Sequence, residues 1–216
     1  MNIENILEQG ITFSLLQENQ IHQATECFTL SFQREPMVKA LEIPYEDFYN
    51  FAFNVCKKAL EQDMALVAIH EEKVVGISIL QDALEDELTF DNLHEGLDII
   101  FSLLGGLQQK YIDDYHVTEK GKVIVAFTVG VDKDYEGKNL TFPLFDITVK
   151  QAKKLHYEKM ITEVTGIYSQ NFAKKRFQFK PLFELRYKDF EYQGEKVFAK
   201  FPEGSNPTCV LMEKVL

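Results

Sequence analysis

The chain has 216 residues, 45% hydrophobic and 12% aromatic, with 18 Phe, 9 Tyr and no Trp, a composition that suits one packed domain and excludes a disordered or low-complexity protein. A formal net charge of −11 argues against nucleic acid as a partner. The longest apolar run, around Val123–Val131, is far too short to span a bilayer, so no membrane partner is expected.

Taken in chain order, Ile11–Leu16 reads as a first strand, and Gln20–Phe32 as a helix with Ile21, Ala24, Phe28 and Phe32 on one stripe. Pro36 and Pro44 punctuate the next segment before a second helix, Tyr45–Leu60. Ala65–Ile69 and Val74–Leu80 are short β-rich runs around His70-Glu71-Glu72-Lys73, a hairpin turn without the Asn-Gly signal. Leu93–Tyr115 predicts a helix that Gly105-Gly106 weakens in its middle. Strand Lys122–Val131, helix Thr141–Leu155, strand Lys159–Val164 and a helix from about Ser169 come next, then β-like runs at Leu182–Phe190 and Thr208–Lys214. This order predicts one α/β domain on a mixed sheet, with hairpins flanking a central β-α-β-α unit.

Charge is uneven along the chain. Asp82–Glu119 holds ten acids against the single base Lys110, which leaves −2 for everything else. The window reads either as a solvated acidic face or as an acidic rim that draws in a cationic acceptor. The five histidines (His22, His70, His94, His116, His156) show no HxxxH and no pairing with Cys, so no metal is expected. Cys27, Cys56 and Cys209 are an odd, widely spaced set without CxxC. They read as free thiols of a reducing compartment. With no basic-then-apolar leader at the N-terminus, the expectation is a cytoplasmic protein.

The chemistry concentrates at Val123–Phe145, VIVAFTVGVDKDYEGKNLTFPLF, where an apolar strand breaks into a charged, Gly-containing turn and re-enters at helical spacing. Such a junction presents backbone N–H groups without intrahelical partners, at the positive end of a helix dipole, and suits a phosphate. It is not a Walker A loop, because Gly130 and Gly137 are seven apart and Asn139 follows Lys138. With one glycine in the turn it is not a dinucleotide fingerprint either.

Val129–Phe145 resembles instead the (R/Q)-x-x-G-x-(G/A) region of the GNAT superfamily of acyl-CoA N-acyltransferases, with Tyr135, Gly137, Lys138 and Leu140 where Tyr, Gly, Lys and Ile usually stand. Thr162–Lys175, TEVTGIYSQNFAKK, is similar to the E-A-T-G-x-x-S-Q-x-x-x-x-K of arylalkylamine-acetyltransferase-like members. FTLSFQREPMVKAL resembles their F-x-x-x-F-x-x-x-EP segment. The resemblance implies a single GNAT domain over residues 1–216, a mixed, mostly antiparallel sheet flanked by helices, with an acidic helical insertion at about 82–119.

It also implies acetyl-CoA as co-substrate, without a metal, and a small primary amine as acceptor, acetylated by direct attack. Val129, Val131, Glu136, Gly137, Lys138, Asn139, Leu140 and Thr141 would form the CoA cradle, and the strand Phe127–Val131 would meet the pantetheine arm. The basic cluster Lys174, Lys175, Arg176 and Lys180 reads as a solvated face or as a contact for a CoA phosphate.

The cradle departs from the family at Glu136, Asn139 and Thr141. Asn139 tolerates left-handed geometry and keeps the turn, Thr141 caps the helix with Pro143 in its first turn, and Glu136 repels a pyrophosphate unless turned to solvent. These departures leave open a catalytically silent GNAT-fold scaffold with a degenerate loop.

For the chemistry, Glu35 corresponds to the acid of the EP segment and would be the base; Pro36 biases it to extended backbone in a loop. Thr165 and Ser169 correspond to the hydroxyls that protonate the departing thiolate, and Ser169 reads equally as a helix N-cap. Tyr168 is a further donor candidate that otherwise packs, because Ala173 occupies the place where many members carry a catalytic Tyr. Phe48, Phe51 and Phe53 line the acceptor pocket in the family, although at this spacing aromatics also simply build core.

Overall fold

The computed structural model describes residues 10–85, 93–199 and 207–216. Among these residues seven strands form one sheet: β1 (Thr12–Leu15), β2 (Ala65–His70), β3 (Lys73–Asp82), β4 (Val123–Val131), β5 (Lys159–Val164), β6 (Lys180–Arg186) and β7 (Thr208–Val215). Their order is β1-β2-β3-β4-β5-β7-β6. Every neighbouring pair is antiparallel except β4–β5. Among the described residues six helices accompany the sheet: α1 (Ile21–Phe32), α2 (Pro36–Ala40), α3 (Tyr45–Glu61), α4 (Glu95–Asp114), α5 (Thr141–Lys154) and α6 (Ile167–Phe177). The expected α/β class and mixed, mostly antiparallel sheet flanked by helices are what the chain adopts. Among the described residues no helix is long and apolar enough to cross a membrane.

The helices divide between the two faces. Phe28 of α1, Phe51 of α3, Phe101 of α4 and Phe127 of β4 interlock, with ring centroids 6.2, 4.9 and 6.5 Å apart from Phe51. These packed aromatics bind three helices to one face. On the opposite face α5 and α6 meet through Phe145 and Phe177, 4.7 Å apart. Gly130 shows how tightly α1 sits: a Cβ there would come within 2.9 Å of the Ser31 Cβ.

Two irregularities in the central strands open the sheet near the β4–α5 loop. The β3–β4 ladder shifts between Ile79 and Leu80, which leaves Phe127 as an extra residue opposite them. The bulge turns Thr128 and Gly130 toward the α1/α3/α4 face. Then β4 and β5 pair only over Val123–Val125 and Lys159–Ile161, although both strands run on. Thr162 Oγ1 donates to the Ala126 carbonyl, 3.1 Å, where the next ladder bond would fall. Beyond it the strands part.

Element by element, the expected boundaries hold within about two residues, with two differences. The short α2 was not expected; Pro36 at its first position supplies the preset φ that starts it. The run expected as strand to Phe190 ends at Arg186, and Tyr187–Asp189 forms a 3₁₀ turn that swings the Tyr187 ring inward. The hairpin expected at His70–Lys73 forms without Asn or Gly, both glutamates standing at positive φ (49° and 65°). The helix containing Gly105-Gly106 is continuous.

The acids of the 82–119 window are largely committed. Asp82 is buried and accepts from Leu84 N, Gly121 N and the Tyr157 hydroxyl. Glu85 faces Lys58 and Lys120 and accepts from Gln62. Glu95 and Asp98 sit in the first turn of α4, where they complement the dipole. Asp86, Glu87 and Asp91 lie outside the described residues.

Candidate active site

The loop between β4 and α5 is braced from three sides. Asp132 accepts from Asp134 N (2.9 Å) and from Lys73 Nζ (2.9 Å), and these donors hold its carboxyl below the usual range despite burial. Tyr135 meets His70 through its hydroxyl at 2.6 Å, and Lys138 Nζ lies 4.4 Å over the Tyr135 ring. Glu136 pairs with Arg34 at 2.7 Å, and the same guanidinium donates to the Leu30 and Val131 carbonyls. The Glu136 carboxylate is thus partly neutralised by a cation from the segment that carries Glu35.

Gly137 and Asn139 both take positive φ (75° and 58°), so Asn139 keeps the left-handed turn as its chemistry allows. A Cβ at Gly137 would meet nothing within 4 Å. Thr141 does not cap the helix. Leu140 is already in helical geometry (φ −64°, ψ −31°) and takes the N-cap place with no side-chain bond, because Asn139 completes the turn one residue earlier. The first N–H groups of α5 are left without a side-chain acceptor, and Pro143 has none to satisfy.

This cradle fits a CoA pyrophosphate. Its turn is left-handed at Gly137 and Asn139, its helix N-terminus is uncapped, and its one carboxylate is tied back to Arg34. Val129 and Val131, half-buried, lie on β4 past the end of β5 pairing, where the strand edge opens toward the same loop. Lys138 is exposed, and Leu140 is buried against Ile11, Ala68 and Val75.

Glu35 sits between α1 and α2 in extended geometry (φ −67°, ψ 139°), as Pro36 dictates. Burial raises its carboxyl above the ordinary value, while Arg34 and Lys39 pull the other way. Its field reaches Tyr187, whose buried hydroxyl donates to the Thr165 carbonyl at 2.8 Å. Tyr187 is thereby anchored to the exit of β5. Thr165 is half-buried on that exit.

Ser169 is not the N-cap of α6; Gly166 holds that place, in extended geometry (φ −128°, ψ 156°). From the first turn the Ser169 hydroxyl donates to Gly166 O (2.8 Å) and accepts from Gly166 N (3.1 Å). Gln170, its neighbour in the SQ pair, ties α6 to the ends of β5 and β7 through the Val164 and Thr208 carbonyls.

Other expected residues fall elsewhere. Tyr168 does not pack: it is 89% exposed at the start of α6, turned away from the core. Lys174, Lys175 and Arg176 are exposed in the last turn of α6, where they complement its dipole, and Lys180 is exposed at the start of β6. Phe48 and Phe51 are buried in the aromatic cluster, while Phe53 stacks on His22 at 5.3 Å. All three cysteines are buried and unpaired. Among the described residues no group of three His, Cys, Asp or Glu is placed to hold a metal.

Two residues that sequence reasoning assigned no role stand at the parting of β4 and β5. The Glu163 Oε1 and the Thr128 Oγ1 are sealed from solvent without a hydrogen-bond partner among the described residues. Burial pushes the Glu163 carboxyl up to about 7, its own backbone N–H offsetting part of the rise. The signal for Glu163 was present as an acid two residues after Ile161 in a strand with Met160, Ile161 and Val164 in the core. Tyr187 carried none, because its role depends on a 3₁₀ turn.

No family model matches the sequence, and no curated protein matches it. Solved structures do. The C-terminal condensation domain of Ebony in complex with β-alanyl-dopamine superposes with a TM-score of 0.85 at 14% identity, over 95% of this chain and 99% of that one. A putative arylalkylamine N-acetyltransferase 7 from the yellow fever mosquito Aedes aegypti gives 0.78 at 19% identity, over 95% and 87%. A Drosophila melanogaster polyamine N-acetyltransferase that forms N-acetylagmatine gives 0.71 at 17% identity, over 95% and 100%. The chain has the GNAT fold, as its three sequence segments implied.

Proposed function

We propose that the protein transfers an acetyl group from acetyl-CoA to the nitrogen of a small primary amine. The observation that carries this reading is the joining of two half-sites: Arg34 spans from the Glu35 segment to Glu136 and Val131 of the β4–α5 loop. A donor cradle and the half-buried Glu35 carboxylate are thereby held in one unit. The structural relatives support it, since N-acetylagmatine and β-alanyl-dopamine are both amides made at an amine nitrogen.

When bound, acetyl-CoA supplies an activated acetyl thioester. Gly137–Thr141 would hold its pyrophosphate through backbone N–H groups, and the open edge of β4 from Phe127 to Val131 would flank the pantetheine arm. An alkylamine is protonated at neutral pH and must lose a proton to react. Glu35, raised by burial, is suited to take it. Ser169 commits its hydroxyl to Gly166 O, so we assign the proton for the departing thiolate to Thr165, whose hydroxyl is restored by the proton that the acylated nitrogen sheds.

Thiol release from acetyl-CoA across a panel of alkyl- and arylalkylamines tests the reading. At least one amine should accelerate release well above hydrolysis, and Glu35→Gln should lower kcat/KM for it by about 10²–10⁴-fold, the range of general-base contributions. Hydrolysis alone with every amine would instead make the chain a catalytically silent scaffold.

A further inference from the structure

Arg34 is held more firmly than its ion pair alone requires. From the end of α1 its guanidinium donates back to the Leu30 carbonyl at 2.8 Å and across to the carbonyl of Val131, the last residue of β4, at 3.2 Å. These two carbonyls seat the cation at the mouth of the β4–α5 loop without help from the loop's side chains. Glu136, the residue before Gly137, then adds its carboxylate at 2.7 Å. A cation from a distant part of the chain thus stands beside the left-handed turn of the cradle.

The pairing with Glu136 is the exchangeable part of this arrangement. The two side chains are 32% and 53% exposed, and an ion pair open to water contributes little to stability because solvent screens it. Arg34 is not packed in either: it borders a cavity of about 510 Å³ whose lining includes Leu30, Asp132 and Lys133. Its bonds also leave part of the guanidinium's donor set unused. Two neighbouring bases are engaged elsewhere, since Lys73 answers Asp132 at 2.9 Å and Lys138 lies over the Tyr135 ring.

A pyrophosphate in the cradle would bring two negative charges next to the Glu136 carboxylate, and the anions would compete for one cation. Phosphate oxygens match the guanidinium fork in charge and in planar geometry, whereas the exposed carboxylate exchanges its partner for water at small cost. We propose that Arg34 is a phosphate ligand of the cradle held in place by Glu136, and that a bound CoA pyrophosphate takes the guanidinium over while the carboxylate turns to solvent. This rests on the acetyl-transfer reading and deepens it, by naming the side-chain cation of the donor site and the acid that keeps it there. The two backbone carbonyls keep Arg34 at the loop while the partner changes.

Calorimetric titration with CoA and, separately, with inorganic pyrophosphate tests this without requiring turnover. The native chain should bind both, in competition with each other. Arg34→Gln should weaken CoA at least tenfold and abolish pyrophosphate binding. Arg34→Lys, which keeps the charge but not the fork, should retain part of the CoA affinity and remains readable if Arg34→Gln fails to fold. Glu136→Gln should tighten CoA severalfold, and that gain should vanish in the Arg34→Gln background. CoA affinity indifferent to both Arg34 substitutions, or a Glu136→Gln gain that survives without Arg34, overturns the proposal. Arg34-dependent CoA binding without amine-stimulated thiol release would leave the exchange standing and remove the acetyl-transfer reading. Thiol release from acetyl-CoA with affinity indifferent to Arg34 would do the reverse, and a native chain that binds neither ligand would end both.

Discussion

Glu163 carries a stability consequence that separates it from the other carboxylates. Its carboxyl titrates near 7 in the folded chain, against an ordinary value of 4.5. Between those values the folded protein holds a proton that the unfolded chain releases, so stability falls as pH rises, and the full loss is reached above pH 7. The shift corresponds to ~3 kcal/mol. Glu163→Gln keeps the shape and removes the charge. Its Tm should exceed the native value by several degrees at pH 8 and match it near pH 4.5, read by thermal denaturation at both; an equal Tm at pH 8 would show that the carboxylate is solvated or paired. Cys209, the titratable neighbour that feels this carboxylate, has its thiol pushed well above this range and stays neutral throughout. At this scale the sequence was readable where local chemistry decides. Pro36 made Glu35 extended, and Asn139 accepted a left-handed turn. It was unreadable where a distant strand decides, as for Tyr187 with Thr165, or Arg34 with Glu136, 102 positions apart in the chain.

Among the elements, β4 bears the most constraints. It pairs with β3 throughout, leaves β5 after three residue pairs, and takes α1 against Gly130. Gly130→Ala would force the new Cβ against the Ser31 side chain, whose hydroxyl already donates to Phe28 O. Overpacking of this kind costs about 1–3 kcal/mol, so urea denaturation should give a lower midpoint with an unchanged slope. Native-like stability would mean that α1 shifts freely on the sheet. The periodic elements were legible because strand alternation and helical stripes are local. The bulge at Phe127 and the parting from β5 were not, since no local pattern distinguishes a residue with a ladder partner from one without. The Glu71-Glu72 turn escaped the usual hairpin signal for another reason. The pairing of His70 with Lys73 holds two glutamates at positive φ, a geometry their own preferences disfavour.

For the whole molecule, the three separated segments that suggested a GNAT fold are tied to one strand and its loop: Arg34 reaches Glu136 and Val131, and Thr162 reaches Ala126 of β4. The EP segment supplies Arg34 and Glu35, the junction supplies Glu136 to Thr141, and the SQ segment supplies Glu163, Thr165 and the Gln170 tie between strands. The acidic window, so prominent in composition, contributes mostly to structure: Asp82 anchors a turn and Glu85 answers two lysines. Composition records where charge lies along the chain, not which charges are already matched. The central claim is that the β4–α5 junction holds the pyrophosphate of CoA. Calorimetric titration with acetyl-CoA, comparing the native chain with Gly137→Trp, tests it most directly. The account predicts saturable one-to-one binding by the native chain and loss of that binding in the variant at unchanged Tm. No heat from the native chain at millimolar acetyl-CoA, or equal affinity in the variant, would contradict it.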